Sequence, residues 1–189
     1  MLLVTGFEPY GGLAANPSGE VAAALAGEGV EAAVLPVDYA AIGPRLEELL
    51  GRDWRAVLML GVDPGGSKLR VERVALNYRS PKRADNRGRR PETTAIVPGG
   101  PAARFATLDP DAVHQRLREA GFAARVSLSA GDYLCNASFY IALGLLQARG
   151  TPCGFIHLPP TPDLGAPGDP WPLRELVRAA RVATRRIRV

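Results

Sequence analysis

The sequence predicts an α/β layered fold with a largely parallel or mixed sheet. Short apolar segments typical of strands alternate with longer segments whose apolar residues recur at helical spacing. Cap signals, in which Pro follows Asn16 or Asp109, mark two helix starts. With 189 residues, 47% of them hydrophobic and 22% charged, the chain can bury one sizeable core. We therefore expect a single domain over residues 1–189, with functional side chains gathered at strand ends.

The residue pattern in the first part of the chain predicts four strands and two helices. The first helix begins at the Asn16-Pro17 cap and stops near Gly27, where glycine ends the apolar pattern. The second helix is indicated by apolar residues spaced three and four apart. The predicted strands are Met1–Thr5, Ala32–Val37, Ala56–Leu60 and Leu69–Leu76, and the second helix is Tyr39–Leu50.

A long polar segment, Asn77–Pro101, follows these strands. A loop of this length in a compact domain tends to be functional or disordered, so we expect residues 78–92 to be mobile without a ligand. Its cluster of basic residues, which includes Arg87, Arg89 and Arg90, favours a solvated surface. Tyr78 is its single aromatic residue, so the stacking side chains typical of nucleic-acid binding are missing, and we predict no nucleic-acid partner.

The last part of the chain predicts three helices and two strands. Asp109-Pro110 opens the first helix and Gly121 closes it, while Gly150 ends the second. Leu176, Val177, Ala180 and Val182 are expected to face inward from the last helix, Leu173–Arg186. The predicted strands are Ala123–Leu128 and Gly154–Leu158.

Composition excludes several classes of protein. The net charge of +4 is mild and does not call for nucleic acid. Two cysteines, Cys135 and Cys153, form neither a disulfide framework nor a CxxC metal motif, and they favour a reduced, intracellular setting, which we take as cytoplasmic. The segment MLLVTGFEPYGG lacks the features of a signal peptide, and no stretch approaches the ~20 apolar residues of a membrane span.

Cys135 is the first candidate functional residue. Small residues interrupt the segment SLSAGDYLCNASFY, and Cys135 then falls in the first turn of the following helix. Free backbone N–H groups there favour a negative charge, and the thiolate is the nucleophilic form of cysteine. The alternative is that Cys135 is a small buried hydrophobic residue. For Cys153, at the start of a buried strand, we expect only a structural role.

His157, at the end of the last strand, is the candidate base for such a thiol. The other histidine, His114, lies within a polar helix and is expected at the surface. Glu72 can orient the imidazole, since a carboxylate on the second ring nitrogen selects the tautomer. The residue pattern alone favours Glu72 as a half-exposed residue at a sheet edge, and four other carboxylates compete with it for the orienting role: Glu8, Asp63, Asp132 and Asp163. The residues alone thus indicate a Cys–His hydrolase and name no substrate.

The N-terminal loop GFEPYGG follows the first strand, as a phosphate-binding turn does. It lacks both the GxGxxG spacing and the Lys-Ser/Thr of a P-loop. Its aromatic residues, Phe7 and Tyr10, either pack in the core or line an apolar slot for a flat ligand.

Four segments together resemble the pyroglutamyl peptidase I family, also called pyrrolidone-carboxylate peptidases. The segment SAGDYLCNASFY resembles the family's cysteine motif, and GFIHLPPTP resembles its histidine motif. TGFEPYGG followed by Asn16-Pro17-Ser18 is similar to its N-terminal loop, and VERVALN followed by Asp85-Asn86-x-Gly88 is similar to its glutamate segment. The four segments occur in the family's order and span essentially the whole chain.

The resemblance implies a three-layer α/β/α sandwich that removes N-terminal pyroglutamyl residues from peptides. It implies Cys135 as nucleophile, His157 as general base and acid, and Glu72 as the orienting carboxylate. It also implies a homotetramer that uses neither a metal nor an organic cofactor. Two alternatives remain: a catalytically weak relative that binds pyroglutamyl ends, and a Cys–His amidase for another small lactam or acyl group.

The resemblance further implies a pocket for the lactam ring. Phe7 and Tyr10 are expected against the ring, Tyr133 and Leu134 beside it, and Asn16 as a support of the loop. The chain departs from the family in the segment SPKRADN, where the family's loop arginine falls on Lys82 with Arg83 next to it. It also departs after the histidine, where PTPDL replaces the usual run and the chain is short before the last helix. These departures affect the expected loop contacts and leave the three catalytic residues in place.

Overall fold

A computed structural model describes residues 1–27, 29–165 and 167–185. The strands are β1 (Leu2–Phe7), β2 (Val30–Leu35), β3 (Ala56–Val62), β4 (Leu69–Glu72), β5 (Val74–Leu76), β6 (Ala103–Phe105), β7 (Ala124–Ser127) and β8 (Cys153–Leu158). The helices are α1 (Pro17–Leu25), α2 (Ile42–Leu50), α3 (Pro110–Glu119), α4 (Leu134–Gln147) and α5 (Leu173–Thr184).

Within the described ranges, six strands form one mixed, mostly parallel sheet in the order β2-β1-β3-β8-β4-β7. The strands β2, β1, β3 and β8 pair in parallel, β4 runs antiparallel to β8, and β7 is parallel to β4. The strands β5 and β6 form a separate antiparallel pair. The predicted mixed, largely parallel sheet is confirmed.

Helices cover both faces of the large sheet. On one face, α2 and α4 bury apolar side chains such as Leu46 and Phe139 against Met59 and Phe155 of the sheet. On the other face, α1, α3 and α5 pack against a second cluster that includes Leu60 and Ile156. Alternate residues of each strand therefore enter different cores, as period-two geometry requires. The expected three-layer α/β/α sandwich is confirmed.

The two predicted helix caps form as expected. The Oδ1 atom of Asn16 accepts the Ser18 N–H at 3.0 Å, and Oδ1 of Asp109 accepts the Asp111 N–H at 3.0 Å. Proline follows each cap at the start of its helix, where the missing N–H costs no intrahelical bond. Both caps are thus formed by residues that are close in the sequence.

The region around Glu72 differs from the prediction. The segment 69–76 is not one strand: it divides at Arg73 into β4 and β5, which belong to different sheets. The interpretation of Glu72 as a half-exposed edge residue is wrong, because β4 lies between β8 and β7 and Glu72 is fully buried. The short strand β6, which pairs with β5, was not predicted.

The other boundaries agree to within a few residues. In α5 the buried residues are Leu176, Ala179, Ala180 and Ala183, whereas Val177 and Val182 are only partly buried. Arg186, the predicted last residue of that helix, lies outside the described residues. In the part of the chain that the structure covers, each helix is too short or too polar to cross a membrane.

Candidate active site

A cavity of about 150 Å³ opens at the end of the sheet where β1, β3 and β8 finish. Cavities of this size hold a small ring such as benzene in other proteins. It brings the N-terminal loop, the start of α4 and the end of β8 to one place. Its lining includes Phe7, Tyr10, Asn16, Asp63, Arg70, Arg83, Tyr133, Leu134, Cys135 and His157.

Cys135 lies in the first turn of α4, as predicted. The helix begins at Leu134, and its N-cap residue Tyr133 makes no side-chain cap, so first-turn N–H groups point toward the cavity end of the helix without an intrahelical partner. The thiol is partly exposed and lies directly over β3: a Cβ atom added at Gly61 would come within 2.9 Å of Cys135 Sγ. The absence of a side chain at Gly61 therefore makes room for the thiol.

His157 and Glu72 form a buried pair beside Cys135. His157 Nδ1 lies 2.8 Å from Glu72 Oε1, and the two side chains are 6% and 0% exposed. Burial disfavours the imidazolium, but the hydrogen bond and charge of Cys135, followed by those of Glu72, outweigh it and raise the pKa of His157 to about 9. Because Nδ1 faces Glu72, the other ring nitrogen is the one that faces Cys135.

The backbone register explains how Glu72 reaches the imidazole. In the antiparallel β4–β8 pair, Arg70 lies opposite His157 and Glu72 lies opposite Phe155. Arg70, Glu72 and His157 therefore project from the same face of the sheet. The Phe155 ring lies 4.8 Å from the imidazole centroid and covers its side. The strand β4 is thus the element that delivers the carboxylate.

The competing carboxylates are occupied elsewhere. Glu8 Oε1 accepts the Val37 N–H at 2.9 Å, and Asp63 pairs with Arg70 at 2.8 Å. Asp132 lies 3.5 Å from Arg83, and Asp163 is exposed. Among the five candidates, Glu72 is the one in hydrogen-bond contact with His157.

The N-terminal loop is held against α1 by a dense set of contacts. The Phe7 N–H donates to Ser18 Oγ at 3.0 Å, and Asn16 Nδ2 donates to the Glu8 carbonyl at 2.9 Å. A Cβ at Gly6 would clash with the Ser18 carbonyl oxygen, so only glycine permits this approach. Phe7 is the last residue of β1 and not a loop residue, and it is 3% exposed.

Arg83 and Lys82, the two candidates for the loop cation, are placed differently. Arg83 lines the cavity, and its guanidinium lies 4.6 Å from the Tyr133 ring centroid. Lys82 is exposed, and it does not contribute to the cavity lining. The structure therefore brings Phe7, Tyr10, Asn16, Arg83, Tyr133 and Leu134 to the cavity with the three predicted catalytic residues, and leaves Lys82 outside.

The polar segment is anchored by Asp85 and not left free. Its carboxylate accepts the backbone N–H groups of Tyr39, Arg87 and Arg89 at 3.0, 2.9 and 2.9 Å. Burial of the carboxylate opposes ionisation, but the three N–H groups outweigh it and lower the pKa of Asp85. The neighbouring Asn86 donates to the Pro9 carbonyl at 2.8 Å, which ties the segment to the N-terminal loop.

The remaining candidates lie apart from the cavity. Cys153 is buried and unpaired, and burial raises the pKa of its thiol to about 12. The His114 ring lies 3.1 Å from the Ala124 carbonyl oxygen and is partly buried. Over residues 1–27, 29–165 and 167–185, no three His, Cys, Asp or Glu side chains are grouped to hold a metal ion.

Sequence reasoning missed two residues of this site. Arg70 lines the cavity and lies 3.1 Å from Glu72 Oε1. Its position two residues before Glu72 was a signal, because strand residues two apart share a face. Gly61 was missed for another reason: its role depends on α4, which is more than seventy residues away in the chain, and no local pattern reports it.

Comparisons with known proteins place the chain in a family. A family model described as pyroglutamyl peptidase matches residues 1–187. The pyrrolidone-carboxylate peptidase of Pseudomonas fluorescens is 40% identical over 86% of this chain and 80% of that protein, and the Thermococcus kodakarensis protein is 40% identical over 84% and 80%. The crystal structure of pyrrolidone carboxyl peptidase from Thermus thermophilus has a TM-score of 0.90 at 46% identity and covers 97% of this chain and 98% of that chain. The chain belongs to the pyroglutamyl peptidase family.

Proposed function

We propose that the protein is a cysteine exopeptidase, an omega-peptidase, that removes an N-terminal pyroglutamyl residue from peptides. The observation that carries this proposal is the buried hydrogen bond between His157 and Glu72, with His157 and Cys135 together at the wall of a small cavity. A nucleophile, a base and an orienting carboxylate in this order are the parts of a hydrolytic triad. Membership of the pyroglutamyl peptidase family supports the choice of substrate.

The aromatic half of the cavity suits the lactam ring. Phe7, Tyr10, Tyr133 and Leu134 supply apolar faces for a small, flat, uncharged ring. Asn16 acts as a support, since its amide oxygen and nitrogen are used by Ser18 and the Glu8 carbonyl. A prolyl residue lacks the ring carbonyl, so it leaves a hydrogen-bonding group of the site unpaired, and such losses discriminate by several orders of magnitude.

In the acylation step, the Cys135 thiolate attacks the pyroglutamyl carbonyl carbon and forms a C–S bond. First-turn N–H groups of α4 stabilise the oxyanion of the tetrahedral intermediate. The imidazolium of His157 gives its proton to the leaving amine nitrogen as the C–N bond breaks. Glu72 accepts the Nδ1 hydrogen bond at 2.8 Å throughout, which keeps the other nitrogen directed at the reacting atoms.

The deacylation step releases pyroglutamate from the thioester. Neutral His157 takes a proton from a water molecule, and the resulting hydroxide attacks the thioester carbonyl. The C–S bond then breaks, and the restored Cys135 thiolate and His157 imidazolium form the starting ion pair. No group other than these side chains and water is required for the balance of protons and electrons.

Arg83 is the residue that we propose as the loop cation of the site. It stacks on Tyr133 and lies 3.5 Å from Asp132, which positions its charge at the rim of the cavity. Lys82, one residue earlier, is exposed and fits this role less well.

The test is hydrolysis of a pyroglutamyl fluorogenic amide, with a prolyl amide and an acyclic glutamyl amide in parallel. Turnover of the pyroglutamyl amide alone, lost in Cys135→Ala and retained in Cys153→Ala, supports the proposal. Cleavage of the other amides at a similar rate contradicts it in favour of a broader Cys–His amidase. Tight binding of a pyroglutamyl peptide by folded, reduced protein that shows no turnover contradicts it in favour of a binding relative.

We extend the proposal to a single peptidase domain that acts in the cytoplasm as a homo-oligomer, a tetramer by family resemblance. Two unpaired cysteines fit a reducing compartment. Exposed apolar side chains on the β5–β6 pair and α4, which include Leu76, Phe105 and Leu145, are the surface on which copies can associate.

A further inference from the structure

Arg70 connects three parts of the cavity wall. Its Nη1 atom lies 2.8 Å from Asp63 Oδ2, in the loop that follows β3. Its Nη2 atom lies 3.1 Å from Glu72 Oε1, and it also donates to the Ser129 carbonyl in the turn that precedes α4. The side chain is 19% exposed, so this guanidinium is largely removed from water. One side chain therefore links the carboxylate, the β3 loop and the turn that leads to Cys135.

The contact with Glu72 involves an unusual sharing of one atom. Oε1 of Glu72 is the oxygen that faces both His157 Nδ1 and Arg70 Nη2. Oε2 of Glu72 is buried and has no hydrogen-bond partner among the described residues. The interactions that offset the burial of this carboxylate therefore all act on one oxygen atom, Oε1, and Arg70 supplies one of them.

The register places the same arginine beside the imidazole. Arg70 is the cross-strand neighbour of His157 in the β4–β8 pair, and the two side chains lie on one face. A guanidinium is a permanent cation, so its charge opposes the imidazolium while Glu72 favours it. The balance between these two charges acts directly on the proton that His157 must gain and lose.

We propose that Arg70 is a positioning residue of this site, which holds Glu72 through the shared Oε1 atom, ties the turn before Cys135 to β4, and offsets the charge that Glu72 presents to His157. The expected change in kcat rests on the proposed function, whereas the contacts of Arg70 do not depend on that function. It goes beyond the triad, because the nucleophile, the base and the orienting carboxylate are each complete without an arginine.

Other charged groups also face His157, and they bound the effect of Arg70. Cys135, from α4, and Glu72, from β4, act on the imidazole directly, while Asp63, from the loop after β3, lines the same cavity. The remaining titratable or charged residues that line the cavity are Tyr10, Arg83, Asp132 and Tyr133. Arg83 and Asp132 are paired with each other, and Asp63 is paired with Arg70 itself, so removal of Arg70 leaves the site more negative.

The experiment compares Arg70→Met, Arg70→Lys and the matched control Arg73→Met. Arg73 is a nearby arginine with its own partner, Asp111 at 2.6 Å, and it is not part of the cavity lining. In Arg70→Met we expect kcat on the pyroglutamyl amide to fall at least 10-fold, with KM changed less than threefold. Arg70→Lys keeps the charge without the planar fork, so we expect partial recovery of kcat. Arg73→Met is expected to stay within threefold of wild type.

A second measurement does not depend on turnover. NMR titration of the two histidine rings, assigned with His114→Gln, reports the His157 midpoint directly. We expect Arg70→Met to move this midpoint upward by at least half a pH unit, because a cation beside the imidazolium is lost. If Arg70→Met does not fold, Arg70→Lys takes its place in the test. In Arg70→Lys we expect a reduced kcat, and a smaller upward shift of the His157 midpoint or none.

An unchanged kcat overturns the proposal, and so does a His157 midpoint that stays in place or moves down in Arg70→Met. A kcat loss that Arg73→Met reproduces also overturns it, since that result indicates a general loss of packing. If wild-type protein does not cleave the pyroglutamyl amide, the proposed function fails, while the titration still decides the role of Arg70.

Discussion

At the residue scale, the site contains two buried ionisable side chains, and each needs more than one partner to offset the free-energy cost of its burial. Glu72 is fully buried, and its cost is offset by His157 at 2.8 Å and Arg70 at 3.1 Å. His157 is almost as buried, and the charges of Cys135 and Glu72 offset its desolvation. Loss of either partner leaves a buried charge uncompensated, so each substitution is expected to act on the whole group.

The pH dependence of activity follows from the pKa of His157. That pKa is raised to about 9, so the imidazolium that we propose as the proton donor to the leaving amine is lost as the pH rises through about 9. We expect kcat/KM to fall along an alkaline limb centred there. In Glu72→Gln the negative charge is lost, so we expect this limb to move to lower pH and kcat/KM to fall about 10²- to 10⁴-fold.

Steady-state kinetics from pH 5 to 10 check this prediction. Glu48→Gln is the control, because Glu48 is an exposed glutamate in an ion pair with Arg45 on α2. A Glu72→Gln variant that keeps both the rate and the alkaline limb of wild type is incompatible with the proposed role of the carboxylate.

A prediction at Gly61 concerns the room available for the Cys135 thiol and not the charge of the site. An added Cβ would lie 2.9 Å from Cys135 Sγ and 2.8 Å from Phe155 Cζ, both closer than van der Waals contact. In Gly61→Ala the thiol must shift relative to His157, and misplacement of a reacting atom by about 1 Å costs roughly 10²-fold. We expect kcat/KM to fall by at least that factor, with slower alkylation of Cys135 by iodoacetamide.

Gly154→Ala is the matched control for Gly61. Gly154 lies in the neighbouring strand β8, where a Cβ meets the Leu108 side chain at 3.1 Å, on the other face of the sheet. Both variants are expected to lose some stability, measured by thermal unfolding. Equal kinetics in the two variants show that Gly61 makes no special room for the thiol.

At the element scale, local sequence signals predicted the elements that they govern directly. The caps at Asn16 and Asp109 form because the bonds involve residues two or three positions away. The first turn of α4 was predicted correctly for the same reason, since small residues precede it. Cys135 and His157 could therefore be proposed from sequence, one at a helix start and the other at a strand end.

The position of Glu72 could not be predicted in this way. Alternation along 69–76 is compatible with one edge strand, and only the pairing of β4 between β8 and β7 makes Glu72 buried. That pairing is antiparallel within an otherwise mostly parallel sheet, and it joins residues 85 positions apart. The choice of Glu72 among five carboxylates rested on family resemblance until the register was known.

The polar segment is long, yet two of its residues are held by several hydrogen bonds. Asp85 accepts three backbone N–H groups, and the Asn86 N–H donates to the Val37 carbonyl at 3.0 Å. We therefore expect the amides of Tyr39 and Asn86 to exchange slowly in the free protein, contrary to the mobility predicted from sequence. In Asp85→Ala the backbone N–H groups of Tyr39, Arg87 and Arg89 lose their acceptor, at a cost of about 1–3 kcal/mol in the free energy of unfolding.

Hydrogen exchange followed by mass spectrometry checks this prediction. Asp53→Ala is a control, since Asp53 is exposed on another loop. Protection in wild type that falls at least 10-fold around Tyr39, Arg87 and Arg89 in Asp85→Ala agrees with the anchoring role. Rapid exchange across residues 78–92 in wild type restores the mobile-loop prediction.

At the scale of the whole molecule, the two faces of the sheet differ, because one of them carries residues of the candidate active site. The face covered by α1, α3 and α5 is an apolar core, whereas the face covered by α2 and α4 also carries Glu72 and His157 at its rim. The helix α4 is central to the second face, because it buries apolar side chains along its length and presents Cys135 at its first turn. Its outer surface and the adjoining β5–β6 pair remain partly uncovered in the single chain.

The uncovered surface leads to a prediction about association. Phe105, on β6, is 65% exposed, and Leu76, on the same face of the paired strand β5, is 38% exposed. A cluster of large apolar side chains at the surface favours burial against another copy of the chain, and the family resemblance points to four copies. Phe105→Asp places a charge in that contact, so we expect it to shift the mass measured by light scattering toward the monomer, with the catalytic cavity intact.

Leu128→Asp is the control, since Leu128 is 70% exposed at the end of β7, outside this cluster. A wild-type protein that stays monomeric at micromolar concentration, or a Phe105→Asp variant that keeps the wild-type mass, rejects this surface as the site of association.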